Sequence, residues 1–296
     1  MLKGLAITPP VIGRISIGRV VERNGKRLPE KDDQFTLTTQ VQNRDGWVLH
    51  PLDETLHKTA GGKLRSIPVR VMFNDPSLNL RADYSLFDRT NGRPVCVGNG
   101  DSCRRMGKEG VENLPCPSPD ACPFSKGECK AYARLNVQIG EEDALGSWVL
   151  RTTSFNSIRT LTARLQYFEA VSGGLLACMP LELKLRGKST AMSHRSAIYY
   201  VDLVVRSGMT LEDAIAQAKQ LDALRRGCGF DQKALDEAAR NGFAMGEFEE
   251  LFEDIPAVVE EFYPEATPVG VNGAPVTRAA SLQDRLEERV ARQAGA

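Results

Sequence analysis

Five of the seven cysteines, Cys96, Cys103, Cys116, Cys122 and Cys129, fall within 34 residues. Thiols packed so densely point to one of two chemistries, a disulfide framework or a metal site. No secretory signal precedes them: Met1 to Pro10 lacks a charged start, an apolar stretch and a small-residue cleavage site. A cytoplasmic location is therefore expected, and there a reducing environment favours metal over disulfides. Four thiolates complete the tetrahedral shell of zinc, and a closed shell is structural because it leaves no position for substrate. Cys96, Cys116, Cys122 and Cys129 are the candidate ligands, separated by 19, 5 and 6 residues, with Cys103 as the spare. The tight pair of most zinc ribbons is missing, so an iron–sulfur cluster and a metal-free segment stay open as alternatives. Cys178, in an apolar stretch, and Cys228, between Gly227 and Gly229, read as packing or loop residues.

A second constellation is basic. Lys184, Arg186, Lys188, His194 and Arg195 bracket Gly187 to Ser193. If that stretch is a hairpin loop, Lys184, Arg186, Lys188 and Arg195 would project from one end of a sheet and could contact DNA phosphates. A simply solvated loop is the alternative, because no recognition helix or stacking platform accompanies it. Arg14, Arg19, Arg23, Lys26 and Arg27 form a similar stretch near the start. Catalytic signatures are missing. The three histidines, His50, His57 and His194, build no zinc-protease helix motif, and no Gly-x-Ser-x-Gly elbow occurs. Gly187-Lys188-Ser189-Thr190 mimics the end of a phosphate-binding loop but has Glu182 where that motif needs glycine. His50 and His57 flank Asp53 and Glu54 in polar sequence and read as surface residues.

These residues need a scaffold, and the pattern predicts one rich in strands. Ile15 and Ile17, Ile67 to Phe73, and Leu135 to Ile139 alternate apolar with polar positions, as half-buried strands do. Leu181, Leu183 and Leu185 repeat that period, and Ala197 to Val205 supplies a hairpin partner. Between them, Ile158, Leu161, Leu165 and Phe168 recur at helical spacing within a helix from about Asn156 to Val171. The cysteine segment is dense in proline (Pro94, Pro115, Pro117, Pro119, Pro123), which argues against a helix or a central strand there. After Gly208 the pattern turns helical. Thr210 with Asp213 forms a capping box ahead of the stripe Leu211, Ile215, Ala218, Leu221, Leu224. A second helix is expected from Asp231 to Asn241, stopped by Gly242, and a third from Met245 to Phe262, interrupted by Pro256. Pro264 to Ala280 reads as a mobile linker and Ser281 to Gln293 as a short terminal helix.

The composition, 42% hydrophobic and 26% charged, is that of a globular chain. No apolar run reaches the roughly 18 residues of a spanning helix, so no membrane partner is expected. The net charge of zero hides an asymmetry: residues 1–207 carry 29 Lys and Arg against 21 Asp and Glu, and residues 208–296 carry 9 against 17. The expected architecture is α+β. A strand-rich core at 1–207 carries an inserted Cys-rich zinc knuckle at 94–131, followed by an acidic helical region at 208–263 and a linker with terminal helix at 264–296.

The order of several features resembles a known family. Gly13-Arg14-Ile15 is followed by Ile17-Gly18, then by Pro29, Lys31, Phe35, Thr36 and Thr38; Cys96 with Gly98 precedes Cys116-Pro117, Cys122-Pro123 and Cys129; Arg134-Leu135, Gly146, Trp148, Leu150 and Ser154 follow. In this order, across roughly residues 3 to 205, the chain is similar to the recombination directionality factor-like proteins of phages and mobile elements that use large serine integrases. The resemblance implies a non-enzymatic accessory factor that binds the integrase and redirects it from insertion toward excision, with the cysteines stabilising a binding surface. The chain departs from the phage pattern in its acidic extension after Gly208. The rival expectations are a DNA-binding replication or repair protein of a mobile element and a metal-dependent hydrolase.

Overall fold

The computed structural model describes residues 10–23, 26–43, 46–89, 91–140, 146–189, 197–243 and 262. Arg195, the expected linker and the expected terminal helix lie outside these residues, as does nearly all of the helix expected from Met245 to Phe262.

The alternating segments form strands, as their period requires. Strands β1 (Val11–Arg23) and β2 (Lys26–Asn43) make an antiparallel hairpin, and β3 (Gly46–Leu49) adds to the outer edge of β2. Helix α1 (Pro51–Ala60), β4 (Ser66–Arg70), the single turn α2 (Pro76–Asn79) and β5 (Leu80–Phe87) follow. Next come β6 (Pro94–Gly98), β7 (Ser102–Met106), β8 (Val111–Pro115), the turn α3 (Ser118–Ala121), β9 (Lys130–Ile139) and β10 (Ser147–Thr152). Helix α4 (Phe155–Val171), the hairpin β11 (Leu181–Lys188) and β12 (Ile198–Val205), and helices α5 (Leu211–Gly227) and α6 (Gln232–Phe243) complete the order. The architecture is α+β.

One path through the sheet runs β3-β2-β1-β10-β9-β5-β6-β7-β8, with β1 parallel to β10, while β12-β11-β4 joins at the far end of β9. The sheet then curls back on itself: the Phe35 N–H of β2 donates at 2.7 Å to the carbonyl of Leu64, just before β4. Inside the curl lies the main core, including Phe35, Leu37, Ile67, Val69, Leu135, Val137, Trp148 and Leu183. Gly13 is required where β1 crosses Trp148, because a Cβ there would stand 2.3 Å from the indole ring. Helix α4 buries its predicted stripe, Ile158, Leu161, Leu165 and Phe168, and guards the edge of β12: Ser157 Oγ accepts the Val201 N–H at 3.1 Å. The Thr210–Asp213 capping box opens α5, whose Ala214 and Ala218 reach zero exposure against the same core.

One helix was not foreseen, and three expectations need correction. Helix α1 was not legible, because His50 replaces the usual Ser, Thr, Asp or Asn at the N-cap: its Nδ1 accepts the Leu52 N–H at 3.1 Å, and Pro51 starts the helix. The strand expected to reach Phe73 ends at Arg70, because buried Asn79 Oδ1 takes the Met72 and Phe73 N–H groups at 3.1 and 3.0 Å and its amide donates to the Phe73 carbonyl at 2.7 Å. Helix α6 continues through Gly242 to Phe243 rather than stopping. Cys96 sits in β6, paired on both sides by β5 and β7, so the proline-dense segment does contain a central strand; Pro94 is tolerated as its first residue.

Asn79→Ala is expected to cost about 3 kcal/mol, since it strands buried N–H groups. The check is a lower urea midpoint with an unchanged denaturant slope.

Candidate functional site

The sequence places the cysteines on a small antiparallel extension at the end of the main sheet. Cys96 lies in β6 opposite Leu86, and Cys103 lies in β7 opposite Gly98. Cys116 follows β8, with its N–H donating to the Asp101 carbonyl at 2.9 Å. Cys122 ends the α3 turn, and Cys129 immediately precedes β9. All five line one cavity of about 10 Å³, space for about one water-sized sphere, together with Tyr84, Arg105 and Phe124. None of the five forms a disulfide.

Close approach to this cavity explains Gly98. A Cβ at that position would lie 2.6 Å from Cys103 Cβ and 2.9 Å from Cys116 Sγ. Burial raises the Cys129 thiol to about 12, with the neighbouring Cys96, Cys116, Cys122 and Cys103 adding to the shift. Burial likewise raises Cys103 to about 11, helped by its hydrogen bond with Cys96. The Cys103 thiol also donates to the Pro115 carbonyl at 3.7 Å, so it has a structural partner of its own. Among the described residues no group of three or more His, Cys, Asp or Glu stands in metal-holding geometry. The five thiols are gathered around one space without being drawn onto a common centre. Cys178 lies in the main core beside the Arg225 guanidinium at 3.6 Å, and Cys228 is exposed after α5.

Sequence reasoning missed Arg105. It stands across from Cys96 on β7, lines the cavity, and holds its guanidinium 3.9 Å over the Phe124 ring. The only hint was its place two residues after Cys103, which puts both side chains on one face of a strand.

The basic candidates Lys184, Arg186 and Lys188 lie at alternate positions of β11, and two of them have acidic partners. Arg186 Nε donates to Asp202 Oδ2 at 2.6 Å, and Arg164 of α4 donates to Oδ1 of the same buried carboxylate at 3.1 Å. Lys184 lies 3.8 Å from Glu182. Lys188 is exposed. The hairpin of β1 and β2 holds Arg14, Arg19, Arg23, Lys26 and Arg27, and the Arg14 guanidinium lies 3.8 Å over the Trp47 ring. His50 packs edge-on against Trp148 at 4.6 Å, so it is a structural residue rather than a plain surface histidine. No helix among the described residues is long and apolar enough to cross a membrane.

A family model described as Gp3-like, recombination directionality factor-like, matches residues 12–206, a span from β1 to the end of β12 that contains every cysteine of the cavity. No curated protein and no solved structure matches the chain.

Gly98→Ala is expected to destabilise the protein by about 1–3 kcal/mol through overpacking. It should also push Cys116 outward, read as faster labelling of that thiol by a disulfide reagent.

Proposed function

The chain belongs to the Gp3-like, recombination directionality factor-like family, and from that premise we propose that it is a non-enzymatic accessory factor that binds a serine integrase and favours excision. The observation that carries this reading is the extent of the family match, which takes in the whole curled sheet, its cysteine extension and helix α4. Such a factor acts by differential binding. It shifts the integrase complex toward excision only to the extent that it binds the excision-competent state more tightly.

The structural role proposed for the cysteines is to hold zinc through Cys96, Cys116, Cys122 and Cys129. The donor type suits the metal: Cys96, Cys116, Cys122 and Cys129 line one cavity and would have to draw together around an ion, since no three of the described side chains stand in metal-holding geometry, and Cys103 already has a partner in the Pro115 carbonyl. Arg105 at the same cavity would offset the negative charge of a four-thiolate centre. Bound zinc would supply cross-linking of β6 to the segments before β9, where few apolar side chains stabilise the chain. Purified protein is then expected to contain about one zinc per chain by elemental analysis. Cys116→Ser or Cys122→Ser should lower both metal content and stability, and Cys178→Ser should leave metal content unchanged. A metal-free, fully folded preparation would sink the zinc assignment.

The function is tested by a recombination assay with the serine integrase of the same element, on insertion-type and excision-type site pairs, with and without this protein. Excision that appears only with the protein present, together with a stable complex between the two proteins, is the expected result. Identical recombination of both site pairs and no complex would overturn the integrase reading. A gel shift of DNA by the protein alone would then favour the DNA-binding alternative. In that arm Lys188→Ala is the informative change, since replacing Arg186 would also disturb the buried Asp202.

A further inference from the structure

The face of β5 and β9 turned away from the main core carries a second apolar cluster. Ala133 and Leu135 of β9 point into the core, so the alternate residues Lys130, Tyr132 and Arg134 lie on the opposite face, across from Ser85, Asp83 and Arg81 of β5. Onto this face comes a residue from far along the chain. Phe262 is fully buried between Phe87 and Tyr132, with ring centroids 4.9 Å and 6.0 Å away at interplanar angles of 75° and 70°. Phe87 and Tyr132 are themselves edge-to-face at 5.4 Å. The Lys130 ammonium donates to the Phe262 carbonyl at 2.8 Å and lies 5.4 Å from the centre of its ring. The pocket thus recognises both an aromatic side chain and the backbone that carries it.

Two further observations describe what this pocket prefers. Arg134 stands opposite both Arg81 of β5 and Arg151 of β10, so three arginines and the carboxylate of Asp83 share the face beside the aromatic pair. With Lys130, the named side chains of this face carry four positive charges against the one negative charge of Asp83. The chain that delivers Phe262 is acidic to match: residues 244–261 contain seven Asp and Glu and no Lys or Arg, ending in Glu260 and Glu261. The pocket lies inside the family-matched span and its occupant lies beyond it.

We propose that Phe87, Tyr132 and Lys130 form a docking pocket for an acidic peptide with an aromatic anchor, and that Phe262 fills it in cis. A partner peptide of the same chemistry must displace Phe262 before it can bind. A tethered occupant competes at an effective concentration on the order of millimolar, so removing its ring opens the pocket to weak ligands in solution. This inference stands apart from the integrase reading, and its test contains no recombination step.

The test uses full-length protein and a fluorescein-labelled peptide copying residues 257–267, followed by anisotropy. The Phe262→Ala variant should bind the peptide at least about tenfold more tightly than wild type. Replacing the phenylalanine of the peptide with alanine, or adding Tyr132→Ala to the variant, should abolish that binding. Equal affinity for wild type and variant, or no binding to a folded variant, would overturn the proposal. Circular dichroism and a cooperative unfolding transition verify the fold. Should Phe262→Ala not fold, Phe262→Leu replaces it with a smaller gain in affinity expected. Loss of folding in both would also overturn the proposal, because the contact would then be part of the obligatory core.

Discussion

The hydrogen bonding of strand β9 is the constraint on which the rest of the molecule depends. One edge pairs with β10 through residues 133–137, and the other is divided between β5 along residues 130–135 and β4 at residues 138–139. A strand shared in this way must change neighbours partway along, and the sheet bends there. The bend wraps β4 and β11 back toward β2 and encloses the main core. On its other side it sends β5, β6, β7 and β8 outward as an extension with little apolar interior of its own. The buried cluster of that extension is small, Leu86, Cys96 and Cys103 with Val95, Leu114, Cys116 and Cys129 partly buried around it, so thiols make up much of its interior. Core and cysteine cavity are thus two outcomes of one branching strand.

The two faces of β9 also divide the chemistry. On one face Ala133, Leu135 and Val137 feed the core. On the other, Lys130, Tyr132 and Arg134 stand in register with Ser85, Asp83 and Arg81 of β5 and, at Arg134, with Arg151 of β10, a face with more positive than negative charge. Arg164 and Arg186 meet a different fate at the edge of the fold, where a single buried carboxylate, Asp202, orients both guanidinium groups. Of the two basic surfaces, the one that sequence inspection singled out is partly neutralised from within.

Much of the fold was legible because its signals are local. The alternation of Leu135, Val137 and Ile139, the stripe of α4, and the Thr210–Asp213 cap each follow from side-chain period or short-range hydrogen bonding, and each has its element in the structure. What was not legible depended on distant partners. Asn79 ends a strand nine residues earlier in the chain, and His50 caps a helix while packing on Trp148, 98 positions away in sequence. The convergence of the five cysteines on one cavity was readable from their density. The central position of β6 was not, because proline content argues against strands without saying which residue of a strand can carry one. Arg105 and the Phe262 pocket were invisible for the same reason, since each is defined by strand register.

The parallel pairing of β1 with β10 bears on how the molecule comes together. Hairpin β1–β2 closes through local contacts, yet β1 joins the sheet only by pairing Val11 to Ile15 with Ser147 to Leu150 of β10. Contacts so far apart in sequence are slow to form, because loop-closure entropy is lost before they can compensate for it. During synthesis the hairpin therefore waits, with one long edge open, until more than half of the chain has been made. Gly13 and Trp148, whose fit admits no Cβ, meet only at that late step.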